Sequence, residues 1–62
     1  MPVKRADIVR LLERNGFRIV REGGSHTIYS NGQITIPVKR HKQFHRITAN
    51  ELCKQAGLGK PW

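Results

Sequence analysis

Asn31-Gly32 lies between two short runs rich in β-branched and aromatic residues, and it constrains this chain more than any other feature. Asn-Gly is the dipeptide favoured in two-residue type I′ hairpin turns, whose twist matches that of the strands they join. It predicts strands over His26 to Ser30 and Gln33 to Val38, with Ser30 opposite Gln33, Tyr29 opposite Ile34 and Thr27 opposite Ile36. Successive side chains alternate, so Thr27, Tyr29, Ile34 and Ile36 share one face and make the better core surface. His26, Ile28, Ser30, Gln33 and Thr35 fall on the other. His26 is therefore expected to point away from any helices, into solvent or a shallow groove. Pro37 is expected to end regular pairing, because it has no N–H to give a ladder.

On either side of the hairpin the pattern becomes helical. Ile8, Leu11 and Leu12 recur at i, i+3, i+4 and predict a helix from Lys4 to Asn15, with Lys4, Arg5, Arg10 and Arg14 turned to solvent. Asn15-Gly16 supplies its stop, with Phe17 placed to fold back onto Leu12. Phe17 to Arg21 reads as a strand that alternates imperfectly, since Ile19 and Val20 are adjacent. Glu22-Gly23-Gly24-Ser25 then forms a tight turn, in which two glycines can reach positive φ at little steric cost. Beyond the hairpin, Lys39 to Arg46 is a basic loop holding two histidines, His41 and His45. Thr48-Ala49-Asn50-Glu51 matches a capping box, with Ile47 and Leu52 as its hydrophobic staple. A second helix is expected from about Ala49 to Ala56, closed by Gly57 and Leu58, with Gly59 to Trp62 an aperiodic tail. The order α-β-β-β-α predicts an α+β fold in which two helices pack on one face of a three-stranded antiparallel sheet.

Sixty-two residues suit one domain, 1–62, with a small core. Twelve Lys and Arg against four Asp and Glu leave a net charge of +8, which points to a polyanionic partner. No apolar run approaches a membrane span, and the first residues lack the apolar region of a signal peptide. The single Cys53 can form no internal disulfide. Together these predict a soluble cytoplasmic protein.

Few side chains here can do chemistry. His26 reads either as a solvated strand residue or as a reactive group placed where a turn hands over to a strand. The two glycines before it and its outward direction favour the second reading. His41 and His45 with Cys53 suggest zinc, yet a structural zinc site takes four ligands, usually including a C-x₂₋₄-C pair, which is lacking here. Cys53 as a nucleophile would need a nearby base and exposure, and its helical position makes it a core residue instead. Asp7, Glu13, Glu22 and Glu51 form no paired carboxylates. The basic loop is either a solvated charge run or a phosphate-contacting surface, and its place beside Pro37 and a turn-borne histidine supports the latter. No metal and no cofactor is expected.

Leu11-Leu12-Glu13-Arg14-Asn15-Gly16-Phe17, Gly24-Ser25-His26, the strand ending at Pro37-Val38, and Thr48 with Lys54-Gln55-Ala56-Gly57-Leu58 together resemble the HicA family of small bacterial toxins. They span nearly the whole chain in family order and spacing. The resemblance implies a fold like that of double-stranded-RNA-binding domains, metal-independent cleavage of messenger RNA, and inactivation by a HicB-type antitoxin. It also implies that His26, the histidine of the Gly-Ser-His motif, is catalytic. Thr27 and Lys39 stand where many members of the family carry histidine. Ser25, Arg21, Lys39, Arg40, Lys42 and Arg46 are the candidate RNA contacts, and an acidic antitoxin suits the net charge of +8. A non-catalytic RNA-binding module of the same fold is the alternative. A third reading makes the charge chiefly a docking surface for an acidic protein.

Overall fold

The structure, a computed structural model, describes residues 2–62. Its elements are β1 (Val3–Lys4), α1 (Arg5–Arg14), β2 (Arg18–Glu22), β3 (His26–Ser30), β4 (Thr35–Lys39), β5 (Gln43–Phe44) and α2 (Arg46–Gln55). Strands β2, β3 and β4 form an antiparallel sheet in that order, and β1 pairs with β5 in a separate two-stranded sheet. The α+β architecture and the three-stranded sheet are as expected. The β1–β5 pair is not, because two-residue strands are too short to carry a periodic signal.

Both helices end as the sequence predicts. Gly16 and Gly57 take φ of 85° and 78°, the left-handed conformation glycine adopts without a Cβ clash. Phe17 N–H then donates to Leu12 O at 3.0 Å and Gly16 N–H to Glu13 O at 3.2 Å. Leu58 N–H and Gly57 N–H repeat the pattern on Cys53 O and Lys54 O, at 2.8 and 3.0 Å. These are two complete Schellman motifs, and each folds an apolar residue back toward the core. Ile8 and Leu12 of α1, Ala49 and Cys53 of α2, and Phe17, Thr27, Tyr29, Ile36 and Val38 are buried together.

The hairpin register differs from expectation by two residues. Ser30 pairs with Thr35, Tyr29 with Ile36, Thr27 with Val38 and His26 with Lys39. A type I′ turn needs positive φ at both central residues, but among the described residues only glycines have it. Asn31 instead turns its side chain inward, and Oδ1 accepts from Gln33 N–H at 2.9 Å and Ile34 N–H at 2.7 Å. The loop thereby grows to four residues, 31–34. A slip of two preserves the side-chain faces, so Thr27, Tyr29 and Ile36 stay buried while each residue's partner changes; Ile34 falls in the loop, half-buried, and Val38 joins the core. Pro37 does not end pairing: it lies within β4, an edge strand, where a missing donor can face away from the ladder. Gly23 and Gly24 do not use positive φ either; Gly23 N–H closes their turn on His26 O at 2.9 Å.

Helix α2 starts earlier than its capping box. His45 is the N-cap, its Nδ1 accepting from Ile47 N–H at 3.2 Å, while Thr48 and Glu51 are exposed within the first turns. Ile47 is 61% exposed, so no hydrophobic staple forms. Phe44, buried in β5, fixes where the chain enters the helix, and this overrides the local signal. The expected basic loop of 39–46 is correspondingly short, since β4, β5 and α2 take up half of it.

Candidate functional site

His26 opens β3 directly across from Lys39, the last residue of β4. Thr27 is buried and His26 half-buried, as alternation requires, so His26 and Lys39 share the outer face of the sheet. A bulge in β2 adds a third side chain to that face. Ile19 pairs with Tyr29 but Arg21 pairs with Ile28, leaving Val20 as the extra residue. Without the bulge Arg21 would lie on the face of Ile19; with it, Arg21 joins the row of Ile28 and Pro37.

The imidazole of His26 is held from one side. Ser25 Oγ lies 3.0 Å from Nδ1, within hydrogen-bond range. That contact engages one ring nitrogen and leaves Nε2 to act on something else.

A groove of about 410 Å³ runs from this face to α2. Its walls are His26 of β3, Pro37 and Lys39 of β4, His41, Gln43, Phe44 and His45 of the following segment, and Thr48, Leu52 and Gln55 of α2. All three histidines of the chain line it. His26 therefore meets a groove that a helix bounds on one side, rather than a face clear of both helices. A second cavity of about 410 Å³ is lined by Ser25, His26, Lys39, Arg40 and His41, and a third of about 280 Å³ by Arg5, Glu22, Thr27, Arg40, His41 and Lys42.

The structure thus gathers Ser25, His26, Lys39 and Arg40 at one place and puts Lys42 beside it. Arg40 also approaches Glu22 at 4.0 Å, an exposed pair that at this distance contributes little. Arg46, an exposed first residue of α2, lies outside the groove lining. Arg21 shares the outer face but not the groove lining.

Arg5 is a residue the sequence pattern misassigns. It is half-buried rather than turned to solvent. Its guanidinium donates from Nε to Lys39 O and from Nη2 to Thr27 Oγ1, each at 3.1 Å, and its backbone N–H donates to Lys42 O at 2.9 Å. One residue of α1 therefore ties down both ends of the Lys39–Lys42 segment, the Lys39 end through its side chain and the Lys42 end through its backbone. No local signal marks it, because its partners lie 22 and 34 residues away. His41 and His45 were visible as residue types, but nothing in their spacing indicates that they line one groove with His26.

Cys53 is fully buried, and burial pushes its thiol above the usual value, so the nucleophilic thiolate is disfavoured. Among the described residues no three His, Cys, Asp or Glu side chains come together as metal ligands would. No helix among them is long and apolar enough to cross a membrane.

The sequence model of a family described as HicA toxin of bacterial toxin-antitoxin matches residues 5–58, from the start of α1 to the residue that closes α2. No curated protein and no solved structure matches the chain.

Proposed function

We propose that this chain, which belongs to the HicA family of bacterial toxin–antitoxin toxins, is an endoribonuclease that cleaves messenger RNA without a metal ion. His26 is its central catalytic residue. The observation that carries this reading is the placement of His26: Nδ1 is held by Ser25, Nε2 is left over, and Lys39 stands directly across the strand pair.

RNA brings its own nucleophile. Attack of the 2′-hydroxyl on the adjacent phosphorus forms the O2′–P bond and breaks the P–O5′ bond, giving a 2′,3′-cyclic phosphate and a 5′-hydroxyl. The protein has to remove one proton, supply another and stabilise charge at the phosphate. Imidazole is the side chain chemically suited to either transfer near neutral pH. Lys39 and Arg40, with Ser25 at the rim and Arg21, Lys42 and Arg46 further out, are the side chains available for phosphate contact. Cations fixed before reaction need no reorganisation as charge develops. The antitoxin partner is an acidic HicB-type protein that buries His26 together with these cations, drawn in by the net charge of +8. Such a pair acts in the cytoplasm.

The test is RNA cleavage by the purified chain in excess chelator, with and without His26→Ala. Cleavage should persist in chelator and fall by about 10²–10⁴-fold in the variant, the usual worth of one proton-transfer group. The variant should keep the parent's melting profile, because a half-exposed residue at a strand end adds little to the core. A His26→Ala chain that cuts at the parent's rate would reduce the protein to an RNA-binding module.

A further inference from the structure

Cleavage of this kind needs two proton transfers, and His26 can serve only one of them at a time. Three side chains besides His26 border the groove with a proton-transferring or cationic head: Lys39, His41 and His45. They are not equivalent.

His45 is occupied. Its Nδ1 accepts from Ile47 N–H at 3.2 Å and caps α2, which makes it part of the frame. Lys39 offers a compact ammonium on a flexible stem and suits the phosphate itself. His41 is different, because it borders all three cavities and is lined up with His26 in two of them. Its ring packs edge-on with Phe44, centroids 5.9 Å apart and planes 77° apart. Phe44 is buried and paired with Val3. The segment before it is tied to α1 by Arg5, through Lys39 O and Lys42 O. An exposed histidine is thus set on a firm base facing the same space as His26. The three histidines do not form a group that could hold an ion, so they flank the groove rather than converge on one point in it.

We propose that His41 is the general acid of this groove: as His26 Nε2 takes the proton of the 2′-hydroxyl, His41 as imidazolium gives a proton to the departing 5′-oxygen. The assignment rests on the ribonuclease reading. The charged and titratable groups around His41 are Lys39, Arg40 and Lys42 on its own segment, His26 of β3, Arg5 of α1, Glu22 of β2 and His45 at the start of α2. A developing alkoxide is the group such a surrounding least resists, since the cations draw it toward the proton donor.

The experiment uses 2′-O-methyl RNA with a single free 2′-hydroxyl, prepared with each of the four bases, so that one linkage is cleavable. That linkage carries either the natural 5′-oxygen or a bridging 5′-sulfur, which leaves as a thiolate and needs no proton. His41→Ala should lose about 10²–10⁴-fold on the oxygen substrate and recover to near the parent's rate on the sulfur substrate. His26→Ala should be impaired on both. His41→Gln, which keeps a side chain against Phe44, should behave like His41→Ala if the loss is chemical. Parent-like cleavage of the oxygen substrate by His41→Ala, or equal losses on both substrates, would overturn the assignment while leaving the ribonuclease reading intact. A parent chain that cuts neither substrate removes the ribonuclease reading itself, and this assignment with it.

Discussion

His26 stands on a ladder of five cross-strand pairs, whereas His41 stands on a segment held by two pairs, one aromatic contact and one arginine. The two sides of the groove are therefore fixed by different physics. On the hairpin side, backbone hydrogen bonds and the buried alternation of Thr27, Tyr29, Ile36 and Val38 set every side-chain direction. On the other side, the position of a short connection depends on what a few long-range side-chain contacts pull it against. A ladder survives the loss of any one contact. A tether does not.

Breaking the tether should have the largest effect on this contrast. Arg5→Ala removes charge-assisted bonds to Thr27 Oγ1 and Lys39 O and leaves a buried hydroxyl without its partner. The expected cost is about 2 kcal/mol, a large share of what a domain this small has in hand. It should appear as a lower melting temperature. Amide exchange should rise more over residues 40–45 than over the β3–β4 ladder. Equal loosening of both would show that the two sides are one cooperative unit and that the contrast is wrong.

A middle-sized effect is expected where the two sides of the groove meet. Lys39 ends the ladder and Arg40 begins the connection. If both touch phosphate, replacing them together by alanine should flatten the slope of log K against log salt for single-stranded RNA by about 1.4. Each single variant should show about half of that. A slope that responds to Lys39 alone would confine phosphate binding to the hairpin side. An unchanged slope would leave both cations in solvent.

The smallest effect should come from Ser25→Ala, which sharpens the comparison within the hairpin. Ser25 holds Nδ1 of His26 but is itself exposed and outside the ladder. Because the ladder still sets the direction of His26, only ring orientation is released. The loss in cleavage should stay well below the roughly 10²–10⁴-fold of a proton-transfer group. A loss as large as that of His26→Ala would mean that the serine, not the ladder, positions the ring.

Much of this molecule could be read from local chemistry. Both helix stops follow from Asn15-Gly16-Phe17 and Ala56-Gly57-Leu58, because a Schellman motif is closed by residues adjacent in sequence. The face of each β3 residue follows from alternation alone, which is why a register wrong by two still put Thr27, Tyr29 and Ile36 in the core and His26 on the outer face of the sheet. Residue type and charge were enough to single out His26 and a basic surface near Lys39 and Arg40. The family match over residues 5–58 agrees with the resemblance those motifs carry.

Tertiary structure decided whatever depended on partners distant in sequence. The hairpin loop lengthened because Asn31 could satisfy two backbone donors with its own side chain, and only the folded turn weighs that against a type I′ pair. Helix α2 was capped by His45 rather than Thr48 because Phe44, anchored in β5 and the core, fixed the entry of the chain. Arg21 reached the outer face through a bulge whose position depends on how β2 meets β3. The groove itself, with three histidines from β3, a connection and a helix cap around one space, has no counterpart in any local window. Local sequence specifies conformations and faces, because those depend on bonds and periods within a few residues. Which faces then enclose a common space is decided only when the chain has closed its long-range contacts.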